Sequence, residues 1–394
     1  MKNSFSLIGI LLFISCSEED TGDHAINSPN PVSVEILAEI GTLDQPFDYQ
    51  LGDPISVVTD SLGNIYIADQ ASLTIKVFNS EGTYLRHIGG RGRGPGEFMQ
   101  LNLMRITPDG TLLFLDRGKL EYIYLTTEGE YLNSNPVDLA NQFYPESVVF
   151  LDEFAMGLYM KSSNRPNDPS YFERPLFYIY DHHFENLEAT LITYELLGES
   201  YENHFLWGNF IPYPGSFDLD SEQNKLIYAP GVYTGRLLEY YFDGDFNLVS
   251  EVEIESHPLM LNKTYDIYSS GTEYEQFSSF SGVQMFHHGG FTHQGRLYSI
   301  DAGVFYLENG NIAHFYGEWR GGDTTLEEGN TFDLFVQVIS PEGEILNHGF
   351  VKSLDIDRRP SLSLVSWKDE QDHFYLINQS KFDAPTVIKF RLEM

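Results

Sequence analysis

Short runs of β-branched and aromatic residues, bounded by Gly, Asp, Asn or Pro, recur along almost the whole chain, whereas a helical period sustained over three turns is hard to find. The clearest stretch reads Asp60-Ser61-Leu62-Gly63-Asn64, then the apolar run Ile65-Tyr66-Ile67-Ala68-Asp69, then Ile75-Lys76-Val77-Phe78, then Glu81-Gly82. Its grammar is turn, strand, turn, strand, turn. Asn79-Ser80-Glu81-Gly82, Thr126-Thr127-Glu128-Gly129 and Ser340-Pro341-Glu342-Gly343 each put a glycine where a hairpin needs positive φ.

The stretch repeats. One shift of the chain lays Gly63 on Gly110, Asp69 on Asp116, Phe78 on Leu125 and Gly82 on Gly129 without a gap. A longer shift lays Gly63 on Gly295, Ile65 on Leu297, Tyr66 on Tyr298 and Asp69 on Asp301, and a third lays Ile65-Tyr66-Ile67 on Phe374-Tyr375-Leu376. Less regular copies start near Ser147 and Phe217, which brings the number of units to six. Six antiparallel units that leave no open edge predict an all-β fold, a six-bladed β-propeller with four-stranded blades. A two-domain sandwich would supply as many strands but not a repeat at matched registers. The first strand, Val32 to Ile40, precedes unit one and is expected to complete the last blade beside Thr386 to Leu392.

The first residues follow another pattern. Met1-Lys2-Asn3 is a short basic start, and Phe5 to Ile14 is a mostly apolar run too short to span a bilayer, which needs about 20 apolar residues. Phe13-Ile14-Ser15-Cys16 resembles the bacterial lipobox, with Phe13 where Leu, Val or Ile is usual, and it assigns the single cysteine as a lipidation site. Two or three acyl chains anchor stably where one does not. Ser17-Glu18-Glu19-Asp20 has no Asp directly after the cysteine, and its acidic cluster resembles surface-export signals of some Gram-negative lipoproteins. The expected organisation is a signal peptide over 1–15, a flexible acidic tether over 16–31 and the propeller over 32–394, held at the outer membrane and facing the periplasm or the cell surface.

Charge narrows the partners. With 58 Asp and Glu against 23 Lys and Arg the formal charge is −35, which excludes nucleic-acid binding by phosphate neutralisation. One cysteine excludes a disulfide framework and any multi-cysteine metal site, and 42% hydrophobic with 14% aromatic residues excludes a disordered chain.

Between units one and two the chain reads Gly89-Gly90-Arg91-Gly92-Arg93-Gly94-Pro95-Gly96-Glu97-Phe98. Together with Gly63 to Asp69 and Ile75 to Phe78, this resembles the NHL-type six-bladed propellers, and the whole is similar to the propeller lipoproteins of Gram-negative bacteria. The resemblance is strongest over blades one and two and implies the fold. Families of this kind include lyases, lactonases and binding proteins, so it selects no activity.

Candidate chemistry is sparse. Arg91 and Arg93 beside glycine backbone could form an anion nest, but no phosphate fingerprint is present, and a tight blade connection with local pairing to Glu97 reads more simply. Aligning the units puts the starts of the inner strands near Ser56, Asn102, Glu146, Ser216 and His287 or His288, at the mouth of a central channel. Glu146 with His287, His288 and His293 could hold Zn²⁺ or Ca²⁺ there, although surface or hydrogen-bonded histidines are the plainer reading. Trp207, between Leu206 and Gly208 in a long insertion, is the aromatic best suited to meet a ligand. No GxSxG, HExxH or cysteine nucleophile is present in the mature region.

Two functions follow as expectations. The preferred one is a monomeric lipid-anchored propeller without a cofactor that binds a protein, peptide or glycan through one face, drawing on the insertions at 160–174, 195–215 and 255–285. The alternative is a hydrolase or lyase with Ca²⁺ or Zn²⁺ in the channel.

Overall fold

A computed structural model describes residues 30–137, 144–151, 154–159, 175–193, 215–231, 235–256, 299–319, 331–355, 364–379 and 384–394, and the backbone alone of 265–269, 283–288 and 291–297. The chain opens with β1 (Ser33–Ile40) and a 3₁₀ turn at Phe47–Tyr49. Blade one is β2 (Pro54–Thr59), β3 (Ile65–Asp69), β4 (Thr74–Phe78) and β5 (Tyr84–Ile88). Blade two is β6 (Leu101–Ile106), β7 (Leu112–Asp116), β8 (Glu121–Leu125) and β9 (Tyr131–Pro136). Blade three is β10 (Pro145–Leu151), β11 (Phe154–Tyr159), β12 (Pro175–Asp181) and β13 (Leu187–Thr193), and blade four is β14 (Gly215–Asp220), β15 (Lys225–Pro230), β16 (Arg236–Phe242) and β17 (Leu248–Glu255).

A separate three-stranded sheet follows, ordered β18 (Tyr265–Ser269), β20 (Phe291–Leu297), β19 (Val283–His288). Blade five is β21 (Ser299–Tyr306), β22 (Ile312–Trp319), β23 (Thr331–Ile339) and β24 (Ile345–Asp355). Blade six takes β25 (Val365–Lys368), β26 (Phe374–Asn378) and β27 (Thr386–Glu393) from the end of the chain and β1 from its start, in the order β1-β27-β26-β25. No helix among the described residues is long and apolar enough to cross a membrane.

The inner strands neighbour one another around a closed circle, β2 to β6, β10, β14, β21, β25 and back to β2. Apolar packing follows the same circle. Val58, Tyr66, Met104 and Phe114 pack between blades one and two, Leu113, Tyr122, Val148 and Ala155 between two and three, and Phe177, Met156, Phe217 and Tyr228 between three and four. Ile227, Leu237, Val304 and Ile312 join four to five, Phe315, Val336, Phe374 and Phe390 join five to six, and Val57, Ile65, Tyr375 and Val387 join six back to one. Burying these faces is the main stabilising term at about 25 cal/mol per Å² of apolar surface. It also explains the pattern along each blade: β3 and β7 are buried at every position, while β9 and β17, on the rim, are exposed at most.

Closure is double. β1 runs antiparallel to β27, pairing Ile40 with Val387 and Ser33 with Glu393. Just before it, Val32 N donates to His348 O and His348 N donates to Asn30 O, both at 3.3 Å, so the same segment also touches the rim of blade five. The Trp367 Nε1–H donates to Thr59 Oγ1 at 2.9 Å, tying blade six to blade one.

The repeated aspartates have a structural role. Asp116 ends β7 fully buried, its carboxylate accepting from the backbone N–H groups of Met99 (2.7 Å), Gln100 (3.0 Å), Gly118 (2.9 Å) and Lys119 (3.1 Å). Asp69 does the same at the end of β3, accepting from Gly52, Asp53 and Ala71. Each carboxylate ties the loop entering its blade to the turn leaving the second strand, and so satisfies donors that would otherwise be buried without partners.

The repeat fails at one place. The shift that lays Gly63 on Gly295 and Asp69 on Asp301 spans two sheets: Gly295 lies on β20 of the small sheet, while Asp301 lies on β21, the innermost strand of blade five rather than its second. His287 and His288 are therefore on β19 of the small sheet and do not begin the inner strand of blade five, which starts at Ser299. The small sheet carries the same strand-and-turn grammar as a blade, and that grammar alone does not separate an inserted sheet from a blade.

Candidate functional site

In five blades the inner strand carries a β-bulge near its start. The pairing with the second strand skips one residue between Pro54 and Ser56, Leu101 and Leu103, Pro145 and Ser147, Asp301 and Gly303, and Val365 and Trp367. The extra residues are Ile55, Asn102, Glu146, Ala302 and Ser366. A bulge leaves its residue out of the ladder and re-aims its side chain. Blade four keeps an unbroken register but starts on Gly215, whose φ of +115° and approach to the Ala229 carbonyl leave no room for a Cβ.

Four of the five bulge residues, Ile55, Asn102, Glu146 and Ser366, line one half-open cavity together with Gly215, and Ser56, Leu103, Arg105, Ser147 and Ser216 complete its wall. About 30 Å³ of it is open to the centre of a water molecule. Ser56, Asn102, Glu146 and Ser216, four of the positions that unit alignment assigns to the channel mouth, thus meet in one wall, whereas the fifth, His287 or His288, lies on β19 of the small sheet. Arg105, Ser147 and Ser366 join them. A signal for Arg105 was available, since it is the one charge in the strand Leu101-Asn102-Leu103-Met104-Arg105-Ile106. Ser366 is hidden by its bulge, which moves the channel-facing position one residue past the one that the repeat indicates.

The charges in the wall are partnered. Arg105 spans three inner strands: its Nε donates to Val148 O at 2.7 Å, Nη1 to Met104 O at 2.8 Å and toward Ser56 Oγ at 3.5 Å, and Nη2 to Ser147 Oγ at 3.0 Å. The Ser56 hydroxyl in turn donates to Met104 O at 3.1 Å. Arg117, just past β7, reaches Glu146 Oε1 with Nη2 at 3.1 Å and lies 4.8 Å over the Tyr144 ring. Burial pushes the Glu146 carboxyl above the usual carboxylate range, and the Arg117 guanidinium pulls it part of the way back. Three neutral oxygens differ: Asn102 Oδ1, Ser216 Oγ and Ser366 Oγ are buried without a hydrogen-bond partner among the described residues.

The other sequence candidates do not reach this wall. Arg91 and Arg93 are exposed on a loop that closes on itself, through Phe98 N to Gly90 O at 2.7 Å, Gly92 N to Phe98 O at 3.0 Å and Gly94 N to Glu97 Oε2 at 2.7 Å. Gly89 at its head has φ of +77°, and a Cβ there would sit 2.3 Å from the buried Phe98 ring. The loop has the geometry of a tight blade connection, with Glu97 bonded to backbone rather than to the arginines. The side chains of His287, His288 and His293 lie outside the described residues, as do Trp207 and Cys16 and most of the three insertions. Among the described residues no group of three His, Cys, Asp or Glu side chains is brought together as a metal site.

Comparison with known proteins agrees with the fold. The family model DUF5128, described as a 6-bladed beta-propeller, matches residues 48–206. A search of curated proteins finds no match. Among solved structures, a member of the duf4221 family from Bacteroides vulgatus is similar with a TM-score of 0.58 at 11% identity, covering 92% of this chain and 99% of its own. A protein of Bacteroides fragilis described as exported is similar with a TM-score of 0.50 at 11% identity, covering 92% of this chain and 96% of its own. At such identity the likeness concerns the fold. The closed ring of six blades, and the family pattern across the first of them, identify the chain as a six-bladed β-propeller resembling that family.

Proposed function

We propose that this chain is a lipid-anchored propeller of the bacterial cell envelope that binds a partner through the face on which its inner strands begin, seating part of that partner in the axial cavity. One observation carries the reading: residues from the inner strands of five blades, most of them polar, converge on one half-open cavity. A concave site with a few convergent polar groups between apolar walls, here Ile55 and Leu103, is the usual form of a binding site. A protein, peptide or glycan could supply the group that enters. The envelope address rests on the basic start at Lys2, the apolar run to Ile14 and Cys16, and the description of the similar Bacteroides fragilis protein as exported supports it.

Two measurements test the reading. Replacing Cys16 with Ala is expected to move the protein from the outer-membrane fraction to the soluble one, and unchanged membrane partitioning would overturn the anchor. For binding, the mature protein is screened by thermal shift against neutral saccharides and short peptides, beside a Ser216→Leu variant that fills the cavity. A ligand lost in the filled variant supports the channel mouth; ligands that bind both proteins equally place recognition elsewhere and overturn it.

A further inference from the structure

We propose that the anchored protein turns its axial cavity away from the membrane and meets its partner outside the leaflet rather than among the lipids; this rests on the lipid-anchored binding reading above and adds the direction of the site. The point where the tether joins the ring is fixed by hydrogen bonds. Asn30 Nδ2 donates to the carbonyl of Leu346, the second residue of β24, at 3.4 Å, and His348 N donates to Asn30 O at 3.3 Å. Ser33 Oγ, at the start of β1, donates to Glu393 Oε2, at the finish of β27, at 2.9 Å. β24 starts, and β27 finishes, at the end of the ring that carries the tight hairpins, such as 60–64 and 340–344. The inner strands β2, β6, β10, β14 and β25 open on the cavity at the other end. The tether and the cavity therefore lie on opposite faces.

The two faces also differ in build and charge. Every connection at the hairpin end has at most five residues, whereas 41–53, 89–100, 160–174, 194–214, 256–298 and 320–330 all join strand ends on the cavity side. The ten described hairpin connections hold fifteen Asp and Glu and no Lys or Arg. Such a face is repelled by anionic headgroups, but at physiological salt the repulsion fades within about 8 Å. The fourteen residues from Cys16 to Pro29 reach further, about 20 Å on average and about 50 Å when fully extended. The hairpin face is thus held a short way off the lipid without being turned round. Inversion is the more costly arrangement. A six-residue inner strand such as β2 is about 20 Å long, so with the cavity face down the tether must climb the rim of the disc and loses conformations. Leu43 and Phe47, 66% and 84% exposed on the cavity side, would enter the lipid on inversion, but Asp44 and Asp48 beside them would be carried into the headgroups.

The test is energy transfer on the lipidated protein in vesicles of phosphatidylethanolamine and phosphatidylglycerol that carry an acceptor-labelled lipid. Cys16 is the chain's one cysteine and is blocked by acylation, so a maleimide donor reports a single introduced thiol. Glu81→Cys and Gln371→Cys place it on hairpins, Gln45→Cys and Arg93→Cys on the cavity side, all four at exposed positions. With the two sets about 20 Å apart in height, transfer from the hairpin donors is expected to be about twofold stronger or more. Doubling the tether with a Gly-Ser insert after Asp20 should shrink that contrast; a contrast that survives unchanged would mean that the point of attachment does not set the direction, and overturns the proposal. Equal transfer from all four positions, a disc that tumbles freely, also overturns it. So does stronger transfer from Gln45→Cys and Arg93→Cys, which would put Leu43 and Phe47 in the bilayer. These results leave the anchor standing. A protein that does not float with the vesicles, or a Cys16→Ala variant that floats equally well, removes the anchor and this inference with it.

Discussion

Arg117 leaves the second strand of blade two and meets Glu146, the bulged residue of blade three, with Nη2 and Oε1 3.1 Å apart. The pair crosses a blade interface at the edge of the axial cavity, and the Glu146 side chain is only 8% exposed. Removing one partner of a buried pair leaves the other charge uncompensated, so Glu146→Ala is expected to cost about 3 kcal/mol in urea unfolding. Replacing both residues by Leu should recover most of that loss, since a buried pair is often no more stabilising than apolar groups of similar volume. A double variant as unstable as the single one would mean that the pair does not act as a unit.

Asp116 poses the same question for backbone donors. Its carboxylate is the shared acceptor for a loop and a turn that meet at the end of β7, with Met99 N on Oδ2 and Gln100 N, Gly118 N and Lys119 N on Oδ1. Asp116→Ala buries four N–H groups without that partner, and at roughly 1–3 kcal/mol for each group left unsatisfied the loss should exceed about 3 kcal/mol. Asp116→Asn keeps one oxygen and should lose less than half as much. Equal losses in denaturant titrations would show that the carboxylate's charge, rather than its bonding geometry, is what the loop needs.

Much of this was legible in the sequence for physical reasons. Asp69 and Asp116 recur at matched positions because each blade must satisfy the same buried donors, and Gly82 and Gly129 recur because the same hairpin needs positive φ, here +81° and +96°. Ser56, Asn102, Glu146 and Ser216 could be assigned to the channel because polar residues at the start of an otherwise apolar inner strand have few other places to go. Ser366 was missed because the shift that lays Ile65 on Phe374 puts the apolar Val365, not Ser366, at the position of Ser56, and the bulge of this blade falls one residue later. Blade five was misplaced for a related reason: Gly295 and Asp301 match the blade pattern although a sheet boundary falls between them.

Closure of the ring makes Ile40, near the start of the chain, part of the core. It is 1% exposed, pairs with Val387 and packs with Val57, Ile65 and Tyr375 between blades six and one. Ile40→Ala is expected to cost about 3 kcal/mol, as much as the same change at Ile67 in the middle of blade one. Cooperative unfolding with a loss below about 1 kcal/mol would show that β1 does not hold the ring shut.

Asp218 gives the protein a pH dependence opposite to that of most carboxylates. Its carboxyl accepts from Tyr306 N at 2.8 Å and Leu219 N at 2.9 Å across the junction of blades four and five, yet burial outweighs these bonds and pushes it up to about 6. A folded-state value above the unfolded one means that the folded protein holds the proton more tightly. The stabilisation is therefore complete below the usual carboxylate value of 3.8 and is lost as pH rises through about 6. A shift of about two pH units corresponds to roughly 3 kcal/mol. Asp218→Asn cannot ionise and keeps one acceptor oxygen, so it should lose some stability at pH 4.5 but flatten the fall in Tm between pH 4.5 and 7.5. The comparison is the difference in slope between the two proteins over that window. Parallel slopes would mean that Asp218 is ionised in the folded protein throughout, with Lys368 or an admitted water compensating its charge more fully than the enclosed geometry suggests.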